Sequence, residues 1–272
     1  DQGAIVAEGY ASGRVGSVTL RTQELTMLRD AQVRSTRAPG ASGSSGSIRI
    51  EGGGVLTLGS RTAATVTPTP EEGGVGSIFT TDEAESAAGS IAIDMQEVFV
   101  GPGSAIATIA RGTGDAGDIS IRAGTMAVRA GLIVSQTGSG VATDAPGRAG
   151  AITLDIAGAF EMSNFGELPT PGAGVLSSAS TGRGAAGDIR IAAASVTLDS
   201  VVVQAATAGA GRGGRIEIRA EELTLRNGAQ VSTGTEPGSS GDAGSIDVQV
   251  SGRLDAYGQR IDGISSGFTA TT

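Results

Sequence analysis

Residues 214–233 read GRIEIRAEELTLRNGAQVST, and a close copy, GSVTLRTQELTMLRDAQVRS, stands at residues 16–35. Each copy contains pairs of aliphatic residues separated by one residue, followed by a short polar stretch. Neither copy contains His, Cys or Lys, and neither carries a recognisable catalytic motif. Alternation with a period of two residues is typical of short strands that bury one face. The recurrence of such a passage predicts a repetitive β-structure.

The repeat extends over the whole chain and is marked by a glycine before an aliphatic-x-aliphatic motif. These anchor glycines are Gly16, Gly46, Gly89, Gly117, Gly150, Gly187, Gly214 and Gly244. Their spacings are 30, 43, 28, 33, 37, 27 and 30 residues. The second residue after every anchor is Val or Ile, and the fourth is Leu, Ile or Val. A fixed period of this length is the mark of a repeat architecture.

Two further alternating pairs follow the first one in each unit. The second pairs are Leu25/Met27, Leu56/Leu58, Val98/Val100, Met126/Val128, Phe160/Met162, Val196/Leu198, Leu223/Leu225 and Leu254/Ala256. The third pair is clearest at Ala31/Val33, Leu132/Val134 and Ala229/Val231. No stripe of period 3.6 is present, which excludes leucine-rich, ankyrin and tetratricopeptide repeats, and propeller blades need about 40–45 residues and four strands.

Three short strands in a unit of about 28–30 residues fit one coil of a parallel β-helix. We therefore predict an all-β fold, a single β-solenoid over residues 1–272 with about eight coils of three short strands. With strands ~4.8 Å apart, eight coils make a rod on the order of 40 Å long. Five or six small aliphatics per coil contribute ~1.5–3 kcal/mol each, less than ordering a coil costs, so stacking must stabilise the units.

A slower period of three coils is superimposed on the repeat. Every third coil carries an arginine at the same place, at Arg21, Arg122 and Arg219. The next coil delays its second strand by one residue behind a glycine, at Gly53, Gly158 and Gly252. The same coils carry insertions before their third strand, at 59–74, 163–174 and 257–263. We predict a three-coil super-repeat with boundaries 46–88, 89–186 and 187–272, and insertions that emerge at one corner ~14 Å apart.

The two ends of the sequence read as incomplete coils. Residues 4–8 (AIVAE) and 263–272 (GISSGFTATT) each read as a third strand. No capping helix or Pro-rich stop accompanies either strand. A bare end invites pairing with another chain. We expect a segment of a longer repeat array, with head-to-tail stacking as the alternative.

Composition narrows the possible functions. Aromatic residues are 3% of the chain and apolar residues 39%, which suits thin aliphatic layers. The net charge is −9, with 28 Asp and Glu against 19 Arg and no Lys, so we expect no nucleic-acid partner. The absence of Cys excludes disulfides and thiolate metal sites. No apolar run approaches the roughly 18 residues of a membrane-spanning helix, so we expect no membrane insertion.

Candidate catalytic groups are sparse. Polysaccharide lyases and hydrolases built on β-helices need clustered carboxylates with Arg, Lys or His as base or stabiliser. The chain has no His and no Lys. Its densest acids are Glu71/Glu72, Glu221/Glu222 and the run Asp82, Glu83, Glu85. We interpret them as solvated charges at corners and sheet surfaces.

Other polar groups also have structural interpretations. Asp118 and Asp188 directly follow anchor glycines, where a short carboxylate can bind backbone N–H groups of a corner turn. The stretch GTGDAGD (112–118) is a weak calcium candidate through Asp115 and Asp118, because the calcium nonapeptide repeat is absent. The three repeated arginines could bind an anion or a glycan, and we interpret them as independent surface charges. Threonines are too scattered for an ice-binding ladder.

The repeat pattern resembles a known family. Residues 187–200 (GDIRIAAASVTLDS) and 213–235 (GGRIEIRAEELTLRNGAQVSTGT) carry the likeness best, and it runs from about residue 4 to residue 272. On these residues the chain is similar to the repeat region of bacterial filamentous-haemagglutinin-like exoproteins of the two-partner secretion family. The resemblance implies a right-handed parallel β-helix, exported through a partner outer-membrane transporter, that serves as an adhesin shaft or surface fibre. The chain lacks the Asn-rich signature of the family's N-terminal secretion domain, so it would correspond to the shaft.

These observations predict a non-enzymatic, extracellular or bacterial cell-surface shaft with no catalytic, cofactor-binding or metal-binding residues. The implied partners are the outer-membrane transporter and host-surface, glycan or self-association contacts. If the rod binds a receptor, we expect the row of insertions at 59–74, 163–174 and 257–263 to do so. A self-assembling filament subunit that stacks head to tail and a β-helix polysaccharide lyase or hydrolase stay open as alternatives.

Overall fold

The computed structural model describes residues 3–28, 30–61, 76–83, 85–138, 146–164, 174–180, 182–235 and 239–272. Every regular secondary-structure element in these ranges is a β-strand, and the strands are numbered in chain order. They are β1 (Ala4–Gly9), β2 (Val18–Arg21), β3 (Glu24–Met27), β4 (Gln32–Arg37), β5 (Ile48–Glu51), β6 (Val55–Leu58), β7 (Ser77–Asp82), β8 (Ile91–Val100), β9 (Ala105–Ala110), β10 (Ile119–Arg129), β11 (Leu132–Thr137), β12 (Ile152–Ser163), β13 (Val175–Ser180), β14 (Ile189–Asp199), β15 (Val202–Thr207), β16 (Arg215–Arg226), β17 (Gln230–Thr235), β18 (Ser245–Tyr257) and β19 (Gly267–Thr271).

The strands form two long sheets, and every pairing between them is parallel. Sheet A has the order β1-β4-β7-β9-β11-β13-β15-β17-β19. Sheet B has the order β18-β16-β14-β12-β10-β8-β5-β2, with β3 and β6 continuing it beside β8. The chain therefore visits the two sheets alternately, and each visit stacks on the previous one. This architecture is a parallel β-helix, as the repeat predicted. Its coils are numbered 1–8 by their anchor glycines, from Gly16 to Gly244.

Inward residues of sheet B form continuous columns, because each strand pairs in register with its counterpart one coil away. One column is Val18, Ile48, Ile91, Ile119, Ile152, Ile189, Ile216 and Ile246. A second is Leu25, Leu56, Val98, Met126, Phe160, Val196, Leu223 and Leu254. Between coils 2 and 7 these side chains are at most 1% exposed. The first two alternating pairs of the repeat are therefore the core.

The prediction of three separate strands per coil holds for coils 1 and 2 only. From coil 3 onward the first two strands are joined into one strand of 10–13 residues, beginning with β8. The joining residues stay extended because they also face inward, as Met95 and Ala123 do at 2% and 9% exposure. In coil 2 the break falls at residues 52–54, where a Cβ on Gly52 or Gly54 would lie under 2 Å from a carbonyl oxygen of coil 1.

The delayed second strand of coils 5 and 8 is a β-bulge. The register between β12 and both of its neighbours shifts between Ile156 and the Ala159–Phe160 pair, next to Gly158. The register between β16 and β18 shifts in the same way beside Gly252. A bulge inserts one residue without reversing the faces of the strand beyond it. The inward columns therefore continue across the extra residue.

The third alternation was assigned to the wrong face in coil 4. Ile133 of β11 lies in the inward column and is fully buried, whereas Leu132 and Val134 point to the opposite face of sheet A. Val33 and Val231 point inward as predicted. The error arises because β11 is apolar on both faces. Its outward residues join a second buried cluster made of Phe79, Ala105, Ala107, Ile109, Leu132 and Val134.

The anchor glycines stack directly on one another at a corner of the coil. A Cβ on any anchor from Gly46 to Gly244 would lie 1.9–2.2 Å from the carbonyl oxygen of the preceding anchor. A second glycine column stands three residues earlier, at Gly43, Gly114, Gly147, Gly184, Gly211 and Gly241. A Cβ on any of these glycines would lie 1.8–2.1 Å from the carbonyl oxygen of the corresponding residue in the preceding coil. The corner is therefore a G-x-x-G turn at which neighbouring coils approach closely, with Ser86 in place of the first glycine in coil 3.

Hydroxyl groups inside the rod satisfy the polar backbone of this corner. Sheet A places Ser35, Thr80, Thr108, Ser135, Ser178, Ala205 and Thr233 in one inward column. The Thr108 hydroxyl donates to the carbonyl of Gly117 at 2.6 Å. The Ser178 hydroxyl donates to the Gly150 carbonyl at 2.9 Å and accepts from the Gly187 N–H at 2.8 Å. Buried backbone groups that would lack partners are thus paired.

Candidate functional site

The acids that follow the anchor glycines bind backbone of the next coil. Asp118 accepts a hydrogen bond from the Ala151 N–H, and Asp188 accepts one from the Arg215 N–H, both at 2.8 Å. Serines do the same in the first coils, since the Ser17 hydroxyl accepts from the Ser47 N–H at 3.2 Å. These contacts confirm that Asp118 and Asp188 cap the corner. Each short polar side chain ties its coil to the following one.

The weak calcium candidate is occupied by similar contacts. The Asp115 carboxylate accepts a hydrogen bond from the Arg148 N–H at 2.7 Å, and Asp118 is engaged with Ala151. Across the described ranges, no three His, Asp or Glu side chains come together in a way that could hold a metal ion. The two carboxylates therefore act on backbone N–H groups of the next coil.

The acidic run at 82–85 divides into two environments, and one part of its interpretation was wrong. Glu85 is exposed and Glu83 is half-buried. Asp82 is fully buried inside the rod and pairs with the equally buried Arg37, with 3.3 Å between Oδ2 and Nε. Alternation explains the burial, because Asp82 occupies the inward side of β7. The residues around Asp82 have the polar composition of a loop, so its burial could not be predicted from the sequence.

The remaining predicted acids do not form a cluster in the described residues. Glu221 and Glu222 are exposed on sheet B, and the register places Glu222 opposite Arg253 in the next coil. Glu71 and Glu72 lie outside the described residues. Solvated carboxylates in register with arginine stabilise a sheet surface by cross-strand pairing.

The three repeated arginines stand in one charged column on the outer face of sheet B. The column is Arg21, Glu51, Asp94, Arg122, Asp155, Ala192, Arg219 and Gln249. Each arginine contacts the residue one coil further on, because the Nε atoms reach Glu51 at 2.5 Å, Asp155 at 3.5 Å and Gln249 at 3.3 Å. The three arginines therefore engage three separate partners, and they are surface charges independent of one another, as predicted.

One member of this column shows its electrostatic effect. Hydrogen bonds from Arg49 and then Arg21 hold the pKa of Glu51 below its usual range. Both arginines are well exposed, with 57% and 77% of their side chains accessible. Exposed pairs of this kind contribute little to stability, because water and salt screen the charges. The column therefore links neighbouring coils by surface contacts, and it is not a large source of stability.

Two shallow grooves lie on the surface of sheet B, near the junction between the first and second strand segments of several coils. The larger has a volume of 590 Å³, with a floor at residues 192–194 and with Asp155 and Arg219 on its walls. The other, of 440 Å³, is bordered by Asp94 and Arg122 and shares Asp155 with the first. The described lining residues include no aromatic side chain. Four of the charged lining groups, Asp94, Arg122, Asp155 and Arg219, belong to the ion-pair column already described, and the exposed Glu221 also lines the larger groove.

The insertions could be located only in part. Residues 62–75 and 165–173, which hold most of the first two insertions, lie outside the described residues. The third insertion, 257–263, forms a turn in which the Arg260 Nη2 contacts Asp262 Oδ2 at 2.8 Å. Hydrogen bonds from Arg260 and from the Ile264 N–H lower the pKa of Asp262. The expected common corner of the insertions therefore stays a prediction, as do the super-repeat boundaries.

The fold and its surface place the chain in the class of parallel β-helix repeat proteins. No family model, no curated protein and no solved structure matches it. The described part of the chain holds no helix with the length and apolar character needed to cross a bilayer.

Two sets of structural residues were not predicted from the sequence. The second glycine of the G-x-x-G corner had a clear signal, because it precedes the anchor by three residues in six of the seven coils after the first. The inward hydroxyl column had a weaker signal, since Ser and Thr also occur at outward positions of the same strands. Burial of a polar residue becomes visible only when its backbone partner in another coil is known.

Proposed function

We propose that this chain is the non-catalytic structural shaft of a secreted or cell-surface fibre of the adhesin type. The observation that carries the proposal is the unbroken parallel stacking of nine strands in sheet A, from β1 to β19. Each strand joins the next by register-matched pairing, so the two sheets run the length of the rod. A stiff rod of this kind holds other elements at a distance from the surface on which it stands.

The distribution of polar groups supports a structural role. Asp115, Asp118 and Asp188 accept hydrogen bonds from backbone N–H groups, and Asp155 faces an arginine. A catalytic carboxylate must reach a substrate with its oxygen atoms. The carboxylates along these surfaces instead connect successive coils. Their arrangement favours the shaft over the alternative of a polysaccharide lyase or hydrolase.

An extracellular location and export through a partner outer-membrane transporter belong to the same proposal. The support is the resemblance of the repeat to filamentous-haemagglutinin-like exoproteins. The lack of Cys also fits, because no disulfide could form before export. Coils that stack on their neighbours can order one after another as a chain emerges from a transporter.

The proposal is tested by removing three whole coils, residues 117–213, in frame from the natural full-length protein. The cut joins Ala116 to Gly214, so a coil of the same class takes the vacated place. We expect unchanged surface display and unchanged activity of whatever the fibre carries at its tip. We also expect a fibre shorter by ~14 Å, measured by electron microscopy.

The matched control removes residues 117–163, which deletes one coil and the long strand of the next. This deletion leaves β13 without its own sheet B strand, so we expect loss of display. A polysaccharide-cleaving activity that disappears with the three-coil removal would contradict the shaft. A fibre that keeps its length would contradict it as well.

A further inference from the structure

Among the residues that the structure describes, one ion pair lies inside the rod, in the inward corner column of sheet A. The column runs Arg37, Asp82, Ala110, Thr137, Ser180, Thr207 and Thr235. Its two charged members are neighbours, in β4 and β7, and both side chains are 0% exposed. The other described members are small or carry a hydroxyl. Within this column, opposite charges therefore face each other only between coils 1 and 2, where β4 pairs with β7.

The pair is built into the corner by several further contacts. Arg37 Nη2 donates to the carbonyls of Gly13 at 2.7 Å and Ser44 at 3.1 Å. The Ser45 hydroxyl lies 2.9 Å from the Thr81 carbonyl oxygen and 3.1 Å from Asp82 Oδ2, and it shares its one proton between these two acceptors. These bonds join the corners that precede coils 1 and 2 to the strands β4 and β7. Ser45 is specific to this place, because the same corner position is Ala in coils 3–6.

The pair is a poor device for stability alone. Removing two charges from water costs about as much as their attraction returns, so a buried ion pair stabilises little compared with an apolar pair. Among the described residues, Arg37 Nε and Nη1 have no hydrogen-bond partner. Such a pair contributes most by disfavouring pairing with the wrong strand, since a buried charge without its partner is strongly destabilising.

The repeat itself creates the wrong partners. If β4 stacked on β13, three coils beyond its true neighbour, Val33 would meet Leu176 and Ser35 would meet Ser178. Those contacts match the native ones, in which Val33 meets Ile78 and Ser35 meets Thr80. The inward aliphatic and hydroxyl columns thus cannot distinguish the two arrangements. In the slipped one, Arg37 would be buried against Ser180 with no carboxylate.

We propose that Arg37 and Asp82 form a register lock that makes coil 1 stack on coil 2 and not on the corresponding later coil. The lock acts during assembly of the rod. It does so by leaving a buried, unpaired guanidinium in every slipped arrangement of β4.

A disulfide trap tests the lock, since the chain has no Cys of its own. The variant Thr36→Cys/Thr81→Cys/Ala179→Cys places cysteines in one outward column of sheet A, where native pairing joins 36 to 81. Neighbouring strands bring Cα atoms within disulfide range, whereas three coils do not. Slipped stacking joins 36 to 179 instead. Mass spectrometry after oxidative refolding measures the ratio of the two disulfides.

We expect the slipped disulfide to rise at least tenfold when Arg37→Met and Asp82→Leu are added together. The matched control is Thr108→Val, which removes a buried hydroxyl bond but no charge, and should leave the ratio within twofold of the starting variant. If the double variant does not fold, Asp82→Asn keeps the side-chain shape and takes its place with the same expectation. A ratio that changes equally in the control and in the charge variants would overturn the lock, as would no change in either.

Discussion

At the scale of single residues, glycine and the hydroxyl side chains determine the corner of this β-helix. The anchor glycines stand where successive backbones come closer than a Cβ allows. Their carbonyls are bound from inside the rod by residues such as Thr108 and Ser178. Both requirements come from one cause, because a parallel coil turns sharply at this corner and brings its peptide groups into the interior. A residue with a side chain would separate the coils.

Replacing Gly117 with Ala should destabilise the protein strongly. The new Cβ would lie 2.1 Å from the Gly89 carbonyl oxygen, so two coils must move apart. We expect a loss of about 3 kcal/mol in the free energy of unfolding, measured by urea titration with circular dichroism. Gly16→Ala is the control, since nothing lies within 4 Å of its Cβ, and it should change stability by less than about 0.5 kcal/mol. Equal losses in the two variants would show that the close approach is not the cause.

At the scale of elements, the long strands of sheet B tolerate an extra residue in one place. The bulge beside Gly158 adds a residue between two inward columns, and both columns continue on the same face. The place is permissive because the groove on the surface there is lined by small residues such as Ala157 and Gly124. Elsewhere in the strand a single insertion or deletion reverses every following side chain.

Deleting Gly158 should therefore be tolerated. Without it, β12 has the same number of residues between its inward columns as β10 and β14, and we expect a change in unfolding free energy of about 1 kcal/mol or less. Deleting Glu161 instead turns the buried Met162 outward and should cost about 2–5 kcal/mol. Thermal unfolding of both variants is the measurement. A larger loss for Gly158 than for Glu161 would refute the bulge as the permissive site.

At the scale of the whole molecule, burial depends on the neighbouring coil. Leu223 in coil 7 is 0% exposed, whereas Leu254, its partner in the same column of coil 8, is 47% exposed. The two leucines differ in that coil 7 has a described coil on both sides. Stability in such an array is the sum of weak unit terms and strong terms between neighbours. The fold should therefore tolerate the deletion of a complete coil but not of part of a coil.

Removing coil 6, residues 187–213, should leave a folded rod. Ile152 would then pair with Ile216, and Ser178 with Thr233, so each column keeps the same kind of residue. We expect one cooperative urea transition whose m-value falls roughly in proportion to the surface lost. The control removes residues 187–200, deleting the sheet B strand while keeping β15, and should abolish the cooperative transition. Similar behaviour of the two deletions would contradict stacking of whole coils.

Much of the fold could be predicted from the repeat. Successive coils have similar sequences and stack on each other, so a single repeat pattern predicts many contacts. The columns at Ile152 and Ile216 were predicted correctly, since a parallel stack places equivalent residues on each other. The face of Leu132 was not, because β11 is apolar on both sides and alternation then carries no information. The corner role of Asp118 could be predicted from its place after the glycine. Its hydrogen-bond partner in the following coil could not.

The sequence by itself determined the class of fold, the number of coils and the inward columns of sheet B, because these depend on periodicity, which is a local property of the chain. The tertiary structure decided which neighbouring coil each polar group contacts. It placed Asp82 inside the rod beside Arg37, and it paired Arg122 with Asp155 on the surface. These contacts join residues about 33 to 45 positions apart, and their geometry exists only after the coils have stacked. Periodicity defines the columns, and packing between coils defines the partners.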